Sequence, residues 1–100
     1  MATTTKALAR TAAATSSTTL YTVPSATTTV VSNIVVTNTA GSAGTFTLLL
    51  DDVSIATTVA VPANDTVVLD IKQVLTAAKT IKGFASAITI NFHISGLEIS

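Results

Sequence analysis

After residue 17 the chain alternates apolar and polar positions with a period of two, and turn-forming residues break the alternation at short intervals. Successive side chains of an extended strand point to opposite faces, so this pattern predicts strands with one buried and one exposed side. The cleanest case is residues 45–50, which place Phe46, Leu48 and Leu50 on one face. Residues 53–61 set Val53, Ile55, Val59 and Val61 against Ser54, Ala56, Thr58 and Ala60. Residues 66–72 set Val67, Leu69 and Ile71 against Thr66, Asp70 and Lys72. Residues 87–95 carry Ile88, Ile90, Phe92 and Ile94 inward and leave Thr89, Asn91, His93 and Ser95 on the other side. Further strands are predicted at 18–23, at 27–39 with Asn33 and Asn38 as breaks or bulges, and at 80–85 as a short edge strand.

Turns fall between them at Pro24-Ser25-Ala26, Ala40-Gly41-Ser42-Ala43-Gly44, the hairpin pair Asp51-Asp52, and Pro62-Ala63-Asn64-Asp65. Residues 73–79 are the least strand-like piece and are expected as a helical turn or a crossover between sheets, and Gly96 is expected to bend the last strand. Seven to eight short strands with this spacing predict an all-β fold, an antiparallel β-sandwich or jelly-roll-like domain over residues 18–100, and exclude a helical bundle. Val23-Pro24-Ser25-Ala26 and Val61-Pro62-Ala63-Asn64 echo one another, but in so biased a composition the echo is not counted as a repeat. Residues 1–17 are small and polar without alternation and are expected as an extended N-terminal arm, able to reach on the order of 50 Å. A helix over residues 6–14 would be marginal in water.

Composition narrows the function. The chain has 100 residues, 48% hydrophobic, 10% charged, with one histidine and no cysteine. That is one small domain, held by packing and backbone pairing without disulfides or thiolate metal sites. The mean hydropathy of +0.65 is high, yet every apolar run ends within three residues, so no helix of roughly 20 apolar residues crosses a membrane. So apolar a chain is expected to self-associate or dock. No apolar signal segment opens the sequence, and synthesis in a host cytoplasm is the expectation. Lys6 and Arg10 are the only charges of the first half, too few for a nucleic-acid footprint.

Candidate chemistry is sparse. His93 is expected on a strand face without the partners that catalysis or a metal needs. Asp51-Asp52 lacks the ligand spacing of a calcium loop, and Asp65 and Asp70 lack the paired setting of a glycosidase. Asn64-Asp65-Thr66 matches a glycosylation acceptor but reads as a turn, and no serine sits in a nucleophile elbow. Thr27, Thr28, Thr29, Thr57 and Thr58 form a weak candidate hydroxyl face, but sugar sites usually need aromatic platforms, Tyr21 is the single tyrosine, and outward strand threonine is the simpler reading. No catalytic, cofactor-binding or metal residue is assigned.

Thr-Leu-Tyr-Thr-Val-Pro at 19–24, Val-Val-Ser-Asn-Ile-Val-Val-Thr-Asn at 30–38, Val-Pro-Ala-Asn-Asp-Thr at 61–66 and Ile-Ser-Gly-Leu-Glu-Ile at 94–99 together resemble a family of small virion structural proteins of tailed bacteriophages, frequent among cyanophages. The likeness covers nearly the whole chain after residue 17. It implies an all-β, non-enzymatic component of the particle, either a capsid decoration (cement) protein or a tail or fibre component. It also implies a glycine-containing turn near Ala77-Ala78-Lys79, where this chain has no glycine. The leading expectation is a decoration protein on the capsid surface, a homo-oligomer with a trimer preferred, bound to the major capsid protein. The arm would make that contact, with Lys6, Leu8 and Arg10 as its candidate residues. The alternatives are a tail, baseplate or fibre component, or a receptor- or carbohydrate-binding module; no cofactor, nucleic acid or membrane is expected.

Overall fold

The computed structural model describes residues 2–100 and contains strands but no helix among them. In chain order they are β1 (Thr3–Ala12), β2 (Thr18–Thr22), β3 (Thr28–Asn38), β4 (Gly44–Leu50), β5 (Val53–Val61), β6 (Thr66–Leu69), β7 (Gln73–Leu75), β8 (Thr80–Ala85) and β9 (Ile90–Ile99). They form two antiparallel sheets. Sheet A has the order β1-β9-β3-β6, with β7 also on β3, and sheet B has the order β2-β8-β4-β5. Only β4 and β5 are hairpin neighbours in one sheet; the other connections between sheets pass over the ends of the molecule.

The core lies between the sheets, where inward side chains of both meet. Phe46 and Leu48 of β4 and Ile81 of β8 face Ile34 and Val36 of β3 and Ile90, Phe92 and Ile94 of β9, all essentially inaccessible. Phe46 and Phe92 meet edge to face, ring centroids 6.1 Å apart at 74°, an arrangement aromatic pairs prefer. The β-sandwich read from alternation is thus the fold. Asp51 and Asp52 form the two-residue β4–β5 turn with φ of 54° and 60°, both left-handed as a type I′ hairpin requires. The two Val-Pro segments behave alike: Val23 and Val61 are buried, Ala26 and Asn64 take φ of 55° and 52°, and each carries the chain from sheet B to sheet A.

Several expectations change. The N-terminal segment is not a free arm over its described length, because β1 pairs with β9 from Thr3↔Ile99 to Ala12↔Asn91 and Leu8 enters the core. A ladder needs only backbone groups, so the Thr and Ala residues of this segment suffice once one leucine anchors it; burying a leucine contributes about 1.5–3 kcal/mol. Met1 lies outside the described residues. Thr80–Ala85 is not an edge: β8 sits between β2 and β4. Residues 73–79 hold no helical turn but a short strand, β7, followed by the crossover from sheet A to sheet B that was the other expectation for this segment. The strand predicted at 66–72 stops at Leu69, and β6 and β7 lie end to end on β3, flanking the bulge between Val31 and Asn33. Ile88 is not inward but 70% exposed in the turn before β9.

β9 runs through Gly96 without a break, and the bulges of both neighbouring strands, between Ala7 and Ala9 and between Val31 and Asn33, fall beside it. A Cβ there would lie 2.2 Å from the Val30 carbonyl oxygen and 3.0 Å from Leu8 Cδ1, so glycine is required by the close approach of β3 at its bulge. Ala78 takes φ of 69°, the left-handed conformation for which a glycine was expected. Gly96→Ala is therefore expected to lower unfolding free energy by about 3 kcal/mol or more. Ala78→Gly, exposed and at positive φ, is expected to raise it by about 0.5–1 kcal/mol. Denaturant titration of both variants against the parent checks the opposite signs.

Candidate functional site

The ladder fixes the surroundings of each candidate residue. Lys6 Nζ lies 3.3 Å from Glu98 Oε1, Leu8 is buried, and Arg10 is exposed opposite His93 of β9. Lys6 and Arg10 border one shallow depression on the surface, whereas Leu8, between them on β1, is turned into the core. His93 is exposed between Arg10 and Val35 on the outer face of sheet A. No three His, Cys, Asp or Glu side chains converge among the described residues. Asp51 and Asp52 pair with Lys79 at 3.5 Å and Lys82 at 2.7 Å. Asp65 Oδ1 accepts the Thr66 amide at 2.8 Å, and Asp70 meets Lys72 at 3.3 Å on the surface. The candidate threonine face does not assemble: Thr27 and Thr29 are buried, and Thr57 and Thr58 belong to the other sheet.

Two groupings emerge that the alternation pattern did not reveal. The first joins both sheets at one end of the molecule. The Tyr21 hydroxyl of β2 hydrogen-bonds Thr29 Oγ1 of β3 at 2.8 Å and donates to Glu98 Oε2 of β9, which in turn meets Lys6 of β1. The Glu98 side chain is 15% exposed. Its carboxyl is held below the ordinary 4.5, first by the Tyr21 hydroxyl, against burial, and further by the Lys6 ammonium. Tyr21 is pushed above its ordinary 10.0 by burial first, then by the bond to Glu98. Both shifts move away from neutrality, the reverse of what an acid or base working near pH 7 needs. The cluster is a polar tie between four strands.

The second grouping is a depression of about 190 Å³ on sheet B, lined by Thr15, Thr45, Thr47, Thr58, Phe84 and Ser86 among others. Strand parity places Phe84 outward, because Ile81 and Ala85 of β8 are in the core. Beside it β5 bulges, two of its residues lying opposite Thr47 between the pairs Phe46↔Val59 and Leu48↔Ala56. At the bulge Thr58 takes φ of 49°, a conformation costing a β-branched residue about 1–3 kcal/mol, and its amide donates to Thr47 Oγ1 at 3.0 Å. Ser86 Oγ accepts the Thr45 amide at 3.0 Å. The signal for Phe84 was present in the sequence as an aromatic sharing the parity of Lys82.

No known protein family, curated protein or solved structure matches this chain.

The polar tie makes stability depend on pH. A carboxyl depressed in the folded state stabilises it fully above 4.5, and this is lost as pH falls through the folded value; the raised tyrosine contributes below 10.0 and loses its contribution as pH rises through the folded value. Thermal unfolding followed from about pH 7 to about pH 2 is expected to show a falling midpoint below 4.5, with a shallower fall in Glu98→Gln. Parallel curves for the two proteins would remove Glu98 as the source.

Proposed function

We propose that the chain is a non-enzymatic structural protein of a phage virion, a decoration protein that binds the major capsid protein as a homo-oligomer and stabilises the head. The observation that carries this reading is the connectivity. With β6 and β7 counted as one interrupted strand, there are eight strands: sheet A joins the first, eighth, third and sixth, and sheet B the second, seventh, fourth and fifth. We read this as a jelly roll, an architecture used by viral capsid proteins and by lectins. One fold hosts many functions, so the choice among these rests on the sequence resemblance to phage virion proteins.

The surface supports an assembled state. On the outer face of sheet A, Val68 pairs with Val35, and Val74 with Val30, which also pairs with Leu97. Val68 is 59% and Val74 65% exposed. These are two small apolar patches, separated along β3 by Ser32 and Asn33, and in this reading neighbouring subunits cover them. The tether first expected of residues 1–17 is replaced in this reading by contacts from the folded body, since β1 is committed to its own sheet.

Quantitative mass spectrometry of purified particles of the encoding phage is expected to count the chain in the hundreds per particle, as repeated binding to a head lattice requires. Particles stripped of it should release DNA at lower temperature. A dozen copies or fewer would move the protein to the tail, and its absence from particles would overturn the virion reading.

A further inference from the structure

We propose that the depression over Phe84 is a binding site for a single neutral sugar ring. The inference goes beyond the virion reading and does not depend on it.

The chemistry of the lining selects the ligand. No charged side chain borders the depression, and Lys82, two residues before Phe84 on the same face of β8, is tied to Asp52 at 2.7 Å. An ionic ligand would find no counter-charge. Thr47 and Ser86 each accept a backbone amide, so one lone pair is used and the hydroxyl proton remains to be donated outward. Thr15, Thr45 and Thr58 line the same space and bring three further hydroxyl-bearing side chains to it. Groups that both donate and accept, repeated around a small hollow, match a ligand that does the same at each ring carbon. The Phe84 ring supplies an apolar surface against which the C–H face of a pyranose can lie. At about 190 Å³ the hollow is smaller than the roughly 300–1,000 Å³ of clefts for drug-sized ligands, which suits one ring.

The backbone is an independent indication. Thr58 holds a left-handed φ of 49° inside a strand, and such outliers persist where the surroundings over-determine them, often at binding sites. The bulge brings its side chain to the rim, the role bulges play when they re-aim a residue beside a site. The loop carrying Thr15 is fixed to β8 by the Ala85 amide, which donates to the Ala14 carbonyl at 2.9 Å.

The full chain should be titrated separately with methyl α-D-glucopyranoside, methyl α-D-mannopyranoside and methyl β-D-galactopyranoside, each to about 50 mM, with amide-resolved NMR. At least one is expected to shift the amides of Thr47, Thr58 and Ser86 and to receive saturation from the Phe84 ring. Phe84→Ala should weaken binding about tenfold or more, while Phe84→Tyr retains it. Thr45→Val, which removes one rim hydroxyl and keeps the shape, should weaken it severalfold and serves if Phe84→Ala fails to fold. Three sugars without effect on these amides would overturn the proposal, as would undiminished binding in both Phe84→Ala and Thr45→Val. Shifts produced by inorganic phosphate and by none of the sugars would overturn the assignment to a neutral ligand.

Discussion

Burial of aliphatic and aromatic side chains between the facing sheets is the interaction on which the other features depend. With 10% charged residues and no cysteine, neither ion pairs nor cross-links can define this fold. The exposed ion pairs contribute roughly 0–1 kcal/mol each, less than the approximately 1.5–3 kcal/mol of one buried leucine or phenylalanine. The core therefore sets the register. A slip of one residue in β4 would turn Phe46, Leu48 and Leu50 to solvent and bring Thr47 inward, so the hydroxyl-bearing outer face of sheet B follows from the inner face.

Polar contacts then close the two ends of the sandwich. At the start of β3, Thr29 joins Tyr21 and, through it, Glu98 and Lys6. At its end, the buried Asn38 donates to the Ser42 carbonyl at 2.9 Å and the Val61 carbonyl at 3.3 Å, and accepts the Ala40 amide at 3.0 Å. Among the described residues no buried side-chain polar atom is left without a partner, so these groups avoid the desolvation penalty of unpaired ones. The Asn38 side chain thus ties the end of β3 to the 40–42 loop and to the end of β5.

What the alternation conveyed was the face of each regular strand, and it failed where the period of two is locally broken. Phe46, Leu48, Leu50, Ile90, Phe92 and Ile94 all point where parity puts them. In β5, by contrast, Ala56 is buried although it was set against Val61, because the bulge at Thr57-Thr58 resets the parity between them. Ile88 failed because apolar character was extended into a turn. The place of β8 was unreadable because strand order is a matter of pairing between distant segments. The strand character of residues 3–12 was hidden because it comes from backbone pairing with β9, with Leu8 as the one large side chain anchored in the core. The ring of groups around Phe84 comes from four separate stretches of chain, and no local pattern announces it.

Backbone geometry separates the connections from the Phe84 depression. Six non-glycine residues among those described have positive φ, and five of them, Ala26, Asp51, Asp52, Asn64 and Ala78, lie in turns. Those five follow from a chain with four glycines that must still reverse direction many times, so Asp, Asn and even Ala take the left-handed positions. Thr58 takes its left-handed φ at the β5 bulge, a position glycine commonly fills. It lies within β5, is β-branched, and serves no reversal, and relief would need only a glycine or asparagine. The strain at Thr58 is instead coupled to Thr47, whose hydroxyl receives its amide, and through Thr47 to the Phe84 depression on the sheet face opposite the core. Sheet A bears its exposed valines on its own outer face, on the far side of the molecule. A domain covered on that face would leave the hydroxyl-lined hollow turned outward, so coverage by neighbours and binding at Phe84 are geometrically compatible in one assembly.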